Sequence, residues 1–228
     1  MVAAGASEPP RGDLLQNGLA AMLRARTRDL HDRAERSGVI AELLRGRIRP
    51  SAYLLLSGNL LPVYRALEDG LHRHARDPIV APFARPELLR AEALARDVAV
   101  LTGRSATGAV PALAAGRRYV ERIEQVAPAS PELLIAHAYV RHLGDLSGGQ
   151  TVRRLLIRAP GIGPDAVRSY EFPDLADLDR ARSEYRAALD RAGMRLTDWT
   201  AVLEEACEAF RLTIALAEEV GRVDGGPI

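Results

Sequence analysis

Leu23, Ala34, Val39, Leu43 and Leu44 recur at roughly helical spacing. The same rhythm of apolar side chains returns over 51–74, 86–102, 112–127, 131–157, 175–192 and 198–220. The runs stop where turn chemistry stops them: at Asp77-Pro78, Arg85-Pro86, the Gly103 to Pro111 stretch, Ala129-Ser130-Pro131 and Pro160 to Pro164. Ser130, followed by Pro131 and Glu132, reads as an N-cap with proline at the first helical position, and Thr197-Asp198 as another helix start. Alternating β-branched runs joined by Asn-Gly or Asp-Gly turns are missing, so a sheet has nothing to build it. The fold class expected is all-α.

The 228 residues, 47% hydrophobic and 27% charged, fit one folded domain with a substantial core. The expected division is a flexible leader over 1–17, a single domain over 18–220 and a glycine-rich flexible tail over 221–228. A net charge of +1 argues against general binding to nucleic-acid phosphates, and every one of the 31 basic residues is an arginine. Cys207 is the one cysteine, which rules out an internal disulfide or a multi-cysteine metal site and fits a cytoplasmic location. The first 17 residues lack the basic and apolar regions of a secretory signal, and no uncharged apolar run of eighteen residues occurs.

The chemistry must come from local patterns. In the stretch from His137 to Gln150, Gly144, Gly148 and Gly149 interrupt an otherwise helical run, and each costs about 1 kcal/mol against alanine. Two readings stand open: a kinked helix whose bare backbone approaches a flat ligand, or a helix crossing or break. Arg141 and Asp145 lie four apart, as do His137 and Arg141; a surface salt bridge or a water-organising pair both fit. His31 and Glu35 are one turn apart, so the carboxylate can reach toward an imidazole able to ligate iron, although a lone helical histidine can also be simply solvated. His72 and His74 cannot share a helix face, His137 and His142 diverge, and Glu68 and Asp69 read as solvated surface. Phosphate-cradling glycine patterns are absent, so no internal flavin or nicotinamide site is expected.

Taken together, the intact Leu143-Gly144-Asp145-Leu146-Ser147-Gly148-Gly149-Gln150 segment, His137-Ala138-Tyr139, the Leu23-x-x-x-Thr27-x-x-x-His31 helix, Tyr64-x-Ala66-Leu67-Glu68 and Glu204-Glu205-Ala206-x-x-x-Phe210 resemble the haem oxygenase family over roughly residues 20–220. The resemblance implies haem, both cofactor and substrate, held between a proximal helix and a glycine-kinked distal helix. It makes His31 the iron ligand and Glu35 the group that orients it. Gly144 and Gly148 become the distal backbone against the haem face. Asp145, Arg141 and Tyr64 become the holders of distal water. Arg24, Arg28, Tyr139, Arg182 and Arg186 are placed at the haem propionates, with Phe210 also in the haem site. The implied reaction takes haem, O2 and an external electron donor, a reductase or ferredoxin, to biliverdin, carbon monoxide and Fe2+. A monomer or weak dimer free of the membrane is expected. Val140, His142 and Thr213 stand where the family more often carries other residues, which bears on which ring edge is cut. The alternatives are a protein that binds, stores or transfers haem without degrading it, and a helical interaction domain.

Overall fold

The computed structural model describes residues 11–103 and 110–225, with side chains from Gln16 onward. Nine α-helices carry the described chain, and no strand occurs among these residues. They are α1 (Arg11–Glu35), α2 (Gly38–Leu44), α3 (Pro50–Arg73), α4 (Ala91–Thr102), α5 (Ala114–Ala129), α6 (Leu134–Ala138), α7 (Gly144–Arg158), α8 (Leu178–Gly193) and α9 (Trp199–Gly225). None of the described helices is long and apolar enough to cross a membrane.

α9 is the central strut. Its apolar positions recur all along the helix, including Val202, Leu203, Ala206, Phe210, Ile214 and Ala217, and it packs against α1, α2, α3, α5 and α6. One apolar cluster joins α1, α3, α5, α8 and α9 through Leu23, Leu67, Tyr119, Tyr185 and Val202. A second lies under α2 and α7 and includes Val39, Leu56, Leu156 and Leu216. The two clusters fix the helices that flank the site.

Helix ends follow local chemistry, with two departures from the sequence reading. Asp198 does start α9, accepting from the Ala201 amide (2.9 Å) and the Thr200 hydroxyl (2.6 Å). Asp177 does the same for α8, through the Asp179 and Arg180 amides. Ser130, by contrast, makes no capping bond with its side chain, and Pro131–Leu133 form a 3-10 turn rather than the first turn of an α-helix. Glu68 is not solvated surface: its carboxylate accepts from the Arg90 (2.6 Å) and Ala91 (2.9 Å) amides and so closes the free start of α4.

Helical structure runs past both expected boundaries, 17 and 220. Residues 11–17 are helical up to Gly18, whose φ of 76° breaks α1. The Asp190 carboxylate occupies the space where a Cβ would stand there and accepts from the Ala20 amide (2.9 Å), restarting the helix. At the other end α9 continues to Gly225, because Asp224 accepts from Arg49 Nε (2.8 Å) and Ser51 Oγ (2.6 Å). Residues 1–10 and 226–228 lie outside the described residues, as does most of the break expected between Gly103 and Pro111.

Candidate functional site

α1 and α7 each pack against α2 and α8 and only slightly, if at all, against one another. They stand as two walls bridged by the same pair of helices, and the residues singled out in the sequence lie on them.

On α1, His31 is exposed, its ring edge-on to Phe210 of α9 with centroids 5.9 Å apart. Its Nδ1 faces two carboxylates, Glu35 Oε1 at 3.8 Å and Asp32 Oδ1 at 3.9 Å. These distances are too long for hydrogen bonds but within electrostatic reach, and they leave Nε2 as the nitrogen turned away from the helix's own acids. The exposed imidazole is therefore accessible to an external partner.

The chain enters α7 through a π-turn over Tyr139–Leu143. The irregularity thus precedes the glycines: Gly144 has ordinary helical angles (φ −59°, ψ −50°), and Gly144, Gly148 and Gly149 all sit inside regular α7. The glycines divide by what they face. A Cβ on Gly149 would meet the Tyr170 ring at 3.1 Å, so that glycine serves packing. A Cβ on Gly144 or Gly148 would meet nothing within 4 Å, and both residues are exposed. Helix crossing therefore explains Gly149 and not the other two. Two bare glycines of α7 facing open space and an exposed imidazole on α1, the other wall, can accommodate a flat ligand.

Asp145 turns into the protein. Its Oδ2 accepts from the Tyr64 hydroxyl at 2.6 Å. Burial pushes its carboxyl up to about 6, against the opposing pull of Tyr64, Arg141 and Arg90. The four-residue pairing of Arg141 with Asp145 does not form, because the wider π-turn breaks the α-helical register. Arg141 instead donates to Thr213 Oγ1 at 3.1 Å, and its Nε has no partner. Thr213 thus takes a direct part where the sequence marked only a departure. His142 is fully buried rather than turned to solvent, with neither ring nitrogen partnered, and burial together with Arg90 and Arg141 lowers it to about 3. Val140 is buried in the main core.

His137, four residues before Arg141, belongs to a separate cluster. Its Nε2 lies 2.9 Å from Glu205 Oε1, and Arg122 grips the same carboxylate. Burial alone would raise Glu205, but these two partners hold it at about 2.

At the rim, Tyr139 approaches Thr27 Oγ1 at 3.4 Å, bringing the π-turn against α1. Arg24 and Arg186 are near enough to Tyr139 to favour its ionised form, although burial dominates and raises it. Arg24, Arg28 and Arg186 are exposed and make no ion pair among the described residues, whereas Arg26 binds Glu204 and Arg33 faces Glu218. Arg182 is already engaged: it donates to the Leu146 carbonyl (2.9 Å) and to Asp179, tying α8 to α7.

Sequence reasoning did not single out Arg90, Tyr53 or Tyr170. Arg90 is buried, lies over the Phe172 ring at 4.1 Å and bonds the Glu87 and Glu171 carbonyls. Nothing in its local sequence separates it from 30 other arginines. The tyrosines carried a faint signal: the chain has six, and Tyr53, Tyr64 and Tyr170 line one small cavity with Asp145. A larger, open pocket of about 700 Å3 lies elsewhere, among Val39, Glu42, Ile48, Glu218 and Asp224, and holds none of the site residues.

The family model for Heme oxygenase matches residues 17–219. Heme oxygenase 1 of Synechocystis is 34% identical over 202 residues, 89% of this chain and 84% of that protein. The human Heme oxygenase 1 is 34% identical over 217 residues, 93% of this chain and 75% of that protein. The crystal structure of the Synechocystis heme oxygenase-1 in complex with heme superposes with a TM-score of 0.83 at 34% identity, covering 91% of this chain and 96% of that one. The open glycine face, the exposed histidine and the matched sequence agree: the chain belongs to the heme oxygenase family.

Proposed function

We propose that haem lies between α1 and α7, with His31 Nε2 on its iron and the backbone of Gly144 and Gly148 against its other face. The observation that carries this reading is the empty face of those two glycines in a helix whose third glycine is packed. The protein is a haem oxygenase, an oxidoreductase for which haem is substrate and cofactor together. When bound, haem supplies the iron that activates O2 and the ring that is opened, giving biliverdin, carbon monoxide and Fe2+.

The residues of this chain bind, orient and manage protons. Glu35 and Asp32 keep negative charge near His31 Nδ1, which strengthens the ring as a ligand through its other nitrogen. Arg24, Arg28 and Arg186, exposed and without an ion pair among the described residues, supply guanidinium donors for the two propionates, with Tyr139 among them. Arg182 takes part chiefly by holding α8 to α7, and Phe210 braces the His31 ring. Asp145, fixed by Tyr64 on Oδ2, has no protein donor on Oδ1 among the described residues and is poised to hold or release a proton near neutral pH. Arg141, anchored on Thr213, sets the positive charge beside it. How the propionate arginines rotate the ring decides which edge is cut.

Electrons come from an external reductase or ferredoxin, since no nucleotide-binding glycine pattern is present. We take a monomer or weak dimer as the working unit.

Mixing the protein with haemin, O2 and a reducing system replaces the Soret band with a bile-pigment spectrum. Intact haem under conditions in which a known member turns over would leave only haem binding or storage. His31→Ala removes the iron–histidine signature and most turnover, with partial rescue by imidazole, while the exposed position leaves the fold unchanged. An unaltered iron–histidine band in that variant moves the ligand elsewhere.

A further inference from the structure

Asp145 borders a second space besides the one in front of the glycines. A small, partly enclosed cavity of about 20 Å3 lies among α3, the start of α4, α7 and the 168–170 turn, lined by Tyr53, Ser57, Tyr64, Arg90, Asp145 and Tyr170, among others. A single water needs roughly 10–15 Å3 and two to four polar partners. The Tyr53 hydroxyl is buried there without a hydrogen bond of good geometry, although the Ser57 and Tyr170 side chains stand beside it. Tyr53 and Ser57 are 1% and 2% exposed, so bulk water does not reach them. A buried phenol left unpaired is costly, and a bound water removes that cost.

We propose that this cavity holds one water that joins the Tyr53 hydroxyl to the Asp145 carboxyl, making Tyr53 and Tyr170 positioning residues for the proton that Asp145 handles. The inference rests on the role given to Asp145 above. Its geometry does not depend on haem, because side chains of the protein alone line the cavity. A water donating to the carboxylate favours the ionised form, and so works with Tyr64, Arg141 and Arg90 against the burial that raises Asp145. Tyr170, itself raised chiefly by burial, remains a neutral phenol able to donate or accept.

The test is made on the full chain without haem. Selective 13C labelling of aspartate carboxyls, with Asp145→Asn assigning the signal, gives the Asp145 titration in wild type, Tyr53→Phe and Tyr170→Phe. Both substitutions keep the ring that fills the space. The expected result is an upward move of the Asp145 midpoint in Tyr53→Phe, a smaller move in the same direction in Tyr170→Phe, and a lower thermal midpoint for Tyr53→Phe. An Asp145 titration that is the same in Tyr53→Phe and wild type overturns the proposal, whatever the thermal midpoint does. Should Tyr53→Phe fail to fold, Tyr170→Phe alone decides by the same criterion. Haem turnover by the wild type, measured separately, tests the reading of the site. Its failure leaves the titration result standing, and an unmoved titration leaves turnover standing.

Discussion

Asp145 and Glu205 are both carboxylates removed from water, and their surroundings have opposite consequences. Glu205 is gripped directly by His137 and Arg122, so its charge is neutralised at contact distance and it stays ionised down to about pH 2. Asp145 receives one phenol hydrogen bond, has guanidinium groups nearby but none in contact, and is held at about 6. The difference separates a carboxylate clamp, Glu205, from the proton handler that we propose Asp145 to be. A clamp satisfies its charge with protein groups. A proton handler leaves an oxygen unclaimed and a protonation equilibrium within reach of neutral pH.

The sharpest way to break this comparison is to make both carboxylates neutral amides. Asp145→Asn is expected to lower the rate of haem loss by on the order of a hundredfold or more. Haem titration should be kept, and the thermal midpoint at neutral pH should be at least that of wild type, because the amide carries no charge into a site that disfavours it. Turnover within tenfold of wild type removes Asp145 from the proton path. Glu205→Gln is expected to do the reverse. Arg122 and His137 lose a directly bonded anion, which costs on the order of 3 kcal/mol of stability. Turnover per folded molecule should change little. Equal effects of the two substitutions on stability, read by denaturant unfolding, would erase the distinction.

Much of this arrangement was legible in the sequence. Helical periodicity gave the elements because apolar faces repeat locally, and the 143–150 segment with His31 pointed to the proposed site because both match a family pattern. The split among the glycines was not legible: Gly148 and Gly149 are adjacent and chemically identical, and only the position of the Tyr170 ring separates them. The π-turn escaped for a similar reason, since Tyr139–Leu143 carry no residue that forces it, and with it went the expected contact between Arg141 and Asp145. Glu68 read as surface because its charged neighbours are; its partners, the Arg90 and Ala91 amides, lie 22 and 23 residues away. Long-range partners decide such roles, and spacing does not encode them.

pH separates the same two carboxylates with opposite sign. Asp145 is raised in the folded state from 3.8 to about 6, so its stabilising contribution is fully present below pH 3.8 and is lost as pH rises through 6. That is about two units, each worth about 1.4 kcal/mol, so up to about 3 kcal/mol is at stake. Glu205 is lowered from 4.5 to about 2, so its contribution is present above 4.5 and is lost as pH falls toward 2. Between pH 7 and pH 4, wild type should therefore gain stability relative to Asp145→Asn, while its advantage over Glu205→Gln stays nearly constant until the lower end of that window. Thermal midpoints of the three proteins across this range check both signs. A wild-type advantage over Asp145→Asn that shrinks on acidification reverses the assignment of Asp145.

The smallest effect tests the open glycine face itself, where we propose that haem lies. Gly148→Ala places a methyl group in empty space within a regular helix, so in the haem-free protein it should raise stability by up to about 1 kcal/mol, the propensity difference between the two residues. Gly149→Ala has the same propensity gain but brings its Cβ to 3.1 Å from the Tyr170 ring, so the gain should be cancelled or reversed. Adding haem should invert the ranking for Gly148, because a side chain there occupies the ligand's place: Gly148→Leu should fold as well as wild type yet titrate haem more weakly. Denaturant unfolding of the haem-free variants and Soret titration of the same samples give the two readings side by side. A Gly148→Ala protein less stable than wild type without haem means that protein atoms already fill that face, and the glycine pattern then reports helix packing at all three positions.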